Sequence, residues 1–103
     1  MTPLQIKGSD TKKVIVVTKF SQLPEYLAEK GIDFDEVIPR IDHPAQIRDC
    51  IVIGVIPLHL AAEAYRVIEI PLRMTDELRG RDLTLDEIRS IARNPRKFMV
   101  FED

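Results

Sequence analysis

Cys50-Ile51-Val52-Ile53-Gly54-Val55-Ile56-Pro57-Leu58-His59-Leu60-Ala61-Ala62-Glu63 is the stretch whose reading decides the fold. Residues 50–56 form a short continuous apolar run rich in β-branched side chains, which suits a strand covered on both faces, and such strands are usually parallel and central. Gly54 within that run permits close packing. Pro57 stops the strand, and its fixed φ suits the first position of a helix, so a helix is predicted over residues 58–65, beginning at the strand's carboxyl end.

Working outward, Val14-Ile15-Val16-Val17 predicts a second covered strand. Ser21 is placed to cap a helix that tolerates Pro24 in its first turn, buries Leu23, Tyr26 and Leu27, and ends at Lys30-Gly31. Val37 and Ile38 predict a short strand that Pro39 ends, and residues 42–49 read as a polar loop around His43-Pro44. Residues 66–71 predict another strand through Val67, Ile68 and Ile70. Thr84-Leu85-Asp86-Glu87 is a capping box opening a helix with Leu85, Ile88 and Ile91 on one face and Asn94-Pro95 at its close. Phe98-Met99-Val100-Phe101 predicts a last edge strand. Strands alternating with helices give a small three-layer α/β fold with a mostly parallel sheet over residues 14–103, after a mobile lead-in at 1–13.

The 103 residues, 45% hydrophobic and 31% charged, fit one globular domain. No apolar run approaches the ~20 residues of a membrane span, so neither a membrane partner nor a secretory signal is expected. A net charge of -2 excludes holding long nucleic acid by bulk charge, and an anionic ligand must be held locally. The single cysteine, Cys50, fits a reducing cytosol, and a cytoplasmic location is expected. Positive charge gathers in residues 1–20, with four basic side chains against one acidic, and in 73–97, with seven against five; residues 21–64 carry three against eight.

In open α/β sheets ligands bind beyond the carboxyl ends of the strands. That rule selects Thr18, Lys19, Ser21 and Gln22 after the first strand, Pro57, Leu58 and His59 after the third, and Arg73, Arg79, Gly80 and Arg81 after the fourth. Free N–H groups of Leu58 and His59 at a helix start suit a phosphate oxygen. Cleaving a phosphodiester without a metal needs cations for the charge that builds on phosphorus, here Lys19, Arg79 and Arg81, and a proton carrier, here His59. A ribose 2'-hydroxyl supplies the nucleophile. The competing reading makes His59 a packing residue and the arginines surface ion pairs. Asp33-Phe34-Asp35-Glu36 precedes the second strand, on the edge opposite the cleft, and reads as a solvated turn. No metal or cofactor is expected: there is no G-x-G-x-x-G or G-K-[ST] loop, and neither Ser21 nor Cys50 has the setting of an activated nucleophile.

Val16-Val17-Thr18-Lys19 with Pro24-Glu25-Tyr26-Leu27, then Val52 through Glu63, then Leu78-Arg79-Gly80-Arg81-Asp82-Leu83-Thr84, resemble in the same order the small CRISPR-associated accessory proteins of type III systems that act as ring nucleases. The resemblance runs from about Val14 to the end. It implies a Rossmann-like, CARF-like fold paired as a homodimer, with a cyclic oligoadenylate lying across the two-fold axis. It also implies metal-independent cleavage of cyclic tetra-adenylate by the 2'-hydroxyl, leaving a 2',3'-cyclic phosphate and switching off type III signalling. The alternative is a sponge or sensor that binds the ring without cutting it. Two positions depart from the family pattern: Lys19-Phe20 stands where Arg-His is usual, and His59 where an asparagine is usual. Lys19 replaces an arginine as a point charge but not as a two-pronged donor.

Overall fold

The computed structural model describes residues 12–103. Its strands are β1 (Val14–Val17), β2 (Glu36–Ile38), β3 (Ile51–Ile53), β4 (Arg66–Glu69) and β5 (Arg96–Phe98). They form one sheet in the order β2-β1-β3-β4-β5, with β5 antiparallel and every other pairing parallel. The helices are α1 (Leu23–Glu29), α2 (Leu58–Ala61) and α3 (Leu85–Ile91). Of the expected lead-in, residues 1–11 lie outside the described residues. Lys13 already belongs to the sheet, its carbonyl accepting from the Ile51 N–H at 2.8 Å.

Alternation along the central strands builds two cores. Val14, Val16, Ile51 and Ile53 face α1 and α3, where Leu27 and Ile88 are fully buried. Ile15 and Val52 face the other way, against Ile47 and the α2 residue Leu60. Burying a side chain of this size contributes about 1.5–3 kcal/mol, so β1 and β3, covered on both faces, anchor the sheet. Arg89 spans the α1–α3 seam, its Nε 3.1 Å from Glu29 and its Nη1 2.6 Å from Asp86.

Four elements end earlier than the sequence predicts. β3 stops at Ile53 because Gly54, at φ 150°, turns the chain; a Cβ there would lie 2.5 Å from the Val17 carbonyl oxygen. Helix α2 stops at Ala61, since Glu63 and Ala64 tighten into i to i-3 bonds and the Tyr65 N–H returns to the Cys50 carbonyl at 2.8 Å to start β4. β4 ends before Pro71, which has no N–H to give, and Leu72 forms an isolated bridge with Ala92. Helix α3 stops at Ile91, before Asn94-Pro95, because Ala92 is already extended in that bridge.

The last strand lies earlier than expected, on Arg96–Phe98, leaving Met99 and Phe101 exposed; charged residues on an edge strand discourage further pairing. Ser21 does not cap α1. Gln22 holds that position without a side-chain bond, and the Ser21 hydroxyl is used elsewhere. No helix among the described residues is long and apolar enough to cross a membrane.

Candidate functional site at the switch between two strands

The strand order creates the site. From β1 the chain goes to β2 on one side, then returns to place β3 on β1's other side. The loops after β1 and β3 therefore diverge, and the crevice between them at the carboxyl ends is where open α/β sheets receive ligands. A cleft of about 320 Å³ lies there. Thr18, Lys19 and Phe20 wall it from the end of β1, Pro39 from β2, Gly54 and Val55 from β3, and Ile70 and Leu72 from β4. Gly54 is required in that wall, because any side chain would strike the Val17 carbonyl.

The loop after β1 is tied along its length. The Thr18 N–H donates to the Ile38 carbonyl at 3.0 Å, and the Thr18 hydroxyl accepts from the Phe20 N–H at 3.0 Å. Phe20 packs its ring against the main core. Lys19, between them, is exposed; among the described residues it forms no ion pair and is the one ionisable side chain lining the cleft.

None of the other expected site residues lines this cleft. Ser21 and Gln22 line an adjoining open depression with Asp82, Leu83, Thr84 and Leu85. Leu58 belongs to an apolar groove of about 210 Å³ that shares Gly54 and Val55 with the cleft. Pro57 and His59 are exposed on the same turn, and His59 does not line the cleft. Helix α2 is only four residues long, so its dipole adds little to the Leu58 and His59 N–H groups. Arg73 follows Leu72 at the rim and is exposed, without an ion pair among the described residues. Arg79 is exposed, its Nε 3.8 Å from Asp76, and Gly80 sits at φ 78°.

Arg81 has a structural attachment. Its Nη1 donates to Glu87 Oε1 and to the Asp82 carbonyl, each at 2.9 Å, and its Nη2 donates to the second Glu87 oxygen. Glu87 also closes the capping box, accepting from the Thr84 N–H at 2.9 Å. The Arg81 guanidinium, and secondarily the Thr84 N–H, hold the Glu87 carboxyl down at about 2. Asp82, which the sequence offers only as part of the Leu78–Thr84 resemblance and not as a site residue, accepts both the Ser21 N–H and the Ser21 hydroxyl. The sequence signal for it was its place beside the capping box.

The acidic run before β2 serves the sheet edge. Asp35 Oδ2 accepts from the Val14 N–H at 2.8 Å, and Glu36 pairs with Lys13 at 2.7 Å, raising the lysine's pKa. Among the described residues no three His, Cys, Asp or Glu side chains gather as a metal-ligating group. His43, the other histidine, caps a 3-10 turn at Pro44–Gln46, its Nδ1 accepting from the Ala45 N–H.

A family model described as "Putative CRISPR-associated protein (Cas_VVA1548)" matches residues 15–101. The chain belongs to that family. The matched stretch of this CRISPR-associated protein includes all residues that line the cleft. Neither a curated protein nor a solved structure matches it.

Proposed function

We propose that this CRISPR-associated protein binds a cyclic oligoadenylate, tetra-adenylate by preference, across the carboxyl edge of its sheet and opens it as a ring nuclease. The observation that carries the reading is Lys19, a cation without an ion pair among the described residues, in a cleft at the switch point between β1 and β3. At about 320 Å³ the cleft lies near the lower end of small-ligand sites. It has room for a single nucleotide unit, so a ring needs a second copy to complete its seat. Val55 and Leu58, both 76% exposed beside the cleft, favour such an association.

In this reading Lys19 neutralises one phosphate and Phe20 offers an apolar face to an adenine. Arg73, without an ion pair among the described residues, and Arg79, whose contact with Asp76 is a loose 3.8 Å, are exposed and meet outer phosphates. The 2'-hydroxyl attacks the neighbouring phosphorus, the bond to the 5'-oxygen breaks, and a 2',3'-cyclic phosphate and a 5'-hydroxyl result. The proton leaving the 2'-oxygen and the one reaching the 5'-oxygen need a carrier. His59 takes that part where the ring extends past Val55 onto the α2 turn. Arg81 acts through Glu87 and the loop, not as a direct phosphate contact.

The second reading, sequestration of the ring without cleavage, is favoured by one observation: among the described residues Lys19 is the sole ionisable group lining the cleft. Incubation with radiolabelled cyclic tetra-adenylate in EDTA separates the two. Linear product supports the nuclease; an intact, tightly retained ring supports the sponge; no retention of any ring size rejects both.

A further inference from the structure

Asp82 and Ser21 stand 61 positions apart and meet through two hydrogen bonds. Ser21 donates its backbone N–H to Oδ1 at 3.0 Å and its hydroxyl to Oδ2 at 2.5 Å. One carboxylate thus grips a main-chain and a side-chain donor of the same residue. The grip has a fixed base. Asp82 Oδ1 also accepts from the Leu83 N–H at 2.9 Å, and the Leu83 side chain is only 2% exposed in the main core. Arg81 joins the Asp82 carbonyl to Glu87, and so to α3.

Helix α3 does not need Asp82. Its first turn is already capped by Thr84 and Glu87, each bonding the other's backbone N–H. What Asp82 secures is the loop opposite. With Thr18 bonded to β2 at one end and Ser21 bonded to Asp82 at the other, the backbone that carries Lys19 is held on both sides. A site that relies on one cation gains affinity when the cation's backbone is placed before the ligand arrives, since less ordering remains to be done on binding.

We infer that Asp82 is a positioning residue for the cleft: by gripping Ser21 it holds loop 18–22 in the conformation that presents Lys19, and so sets the affinity for a phosphate-bearing ring. The ligand half of this inference rests on the cyclic oligoadenylate reading above; the loop half does not. Both bonds from Ser21 favour the ionised carboxyl and lower its pKa, so the acceptor is present across neutral pH.

The test uses the full chain with Asp82→Ala, Asp82→Asn, Ser21→Ala and Ser21→Thr, reading amide hydrogen exchange without ligand and cyclic tetra-adenylate binding by calorimetry. In Asp82→Ala, exchange at residues 20 and 21 rises by about tenfold or more while α3 and β1 keep their protection. Ring affinity falls about tenfold, the scale of losing a hydrogen bond to a charged group. Ser21→Ala shows a smaller loss in both readouts. Ser21→Thr and Asp82→Asn, which keep a donor and an acceptor respectively, restore most of each. Unchanged exchange at 20 and 21 overturns the inference, as does a loosened loop that binds the ring at wild-type affinity. If Asp82→Ala loses protection everywhere, Ser21→Ala decides, because it leaves Asp82 in place. If the wild type binds no ring of any size, the proposed function falls, and the exchange readout alone then supports or overturns the grip on the loop.

Discussion

Gly54→Ala perturbs the point on which both sheet and cleft depend. The glycine lies at φ 150°, a conformation that side-chain-bearing residues rarely adopt, and the new methyl would sit 2.5 Å from the Val17 carbonyl oxygen. Forcing a non-glycine residue into such a backbone costs about 1–3 kcal/mol. Displacing a β1 carbonyl that has no flexible end to give way costs about a further 1–3 kcal/mol. Against a total stability of about 5–15 kcal/mol for a domain of this kind, that is a large fraction. At about 4–8 °C per kcal/mol for a chain of this length, the melting temperature should fall by at least about 8 °C. Thermal unfolding followed by circular dichroism measures it. A variant that melts within about 2 °C of wild type would refute the close approach of β3 to β1, and with it the shape of the cleft wall.

Lys19→Ala should weaken cyclic tetra-adenylate binding at least tenfold, about the worth of one charge-assisted contact, and Lys19→Arg should retain it; calorimetry on both variants checks this. His59→Ala should slow ring opening by about 10²- to 10⁴-fold while leaving affinity unchanged; equal single-turnover rates would remove His59 from the mechanism. Arg81→Ala should lower the melting temperature at pH 7 and weaken ring binding less than Lys19→Ala does. The sign of its pH dependence follows from Glu87, whose carboxyl is held down at about 2 by Arg81 first and the Thr84 N–H second. A depressed carboxyl contributes stability above its unfolded pKa of about 4.3, and that contribution is lost as pH falls through about 2. The gap in melting temperature between wild type and Arg81→Ala should therefore be widest near neutral pH, close at about pH 2, and shrink with salt because the pair is exposed.

What was legible in the sequence was what local chemistry encodes. Val14–Val17 and the run at Ile51–Ile53 declared themselves as strands because β-branched residues covered on both faces leave an unbroken apolar string. Thr84 and Glu87 declared a helix start because the capping box is complete within four residues. The carboxyl-end rule found Thr18 and Lys19, since it needs only the end of β1. It could not find Pro39, Ile70 and Leu72, which the strand order carries to the same cleft and no periodicity records.

Arg81 carries two readings in the sequence, phosphate contact and surface ion pair, for a related reason. A run of Arg-Gly-Arg looks the same whether its guanidinium is free for phosphate or already forked onto Glu87, and only the fold of residues 81–87 distinguishes the two. The hydroxyl of Ser21 looked like a helix cap because capping is a local habit. Its actual partner, Asp82, is 61 positions away. Helix α2 was overextended because Ala61-Ala62 favours helix locally, whereas the Tyr65 bond back to Cys50 forces an early return to the sheet.

The most direct test is mass spectrometry of the products after excess protein meets cyclic tri-, tetra- and hexa-adenylates in EDTA, with Lys19→Ala run alongside. The account predicts that the tetra-adenylate ring is converted to linear fragments ending in a 2',3'-cyclic phosphate, and that the variant yields far less. All three rings recovered whole, with no heat of binding for any of them, would contradict it.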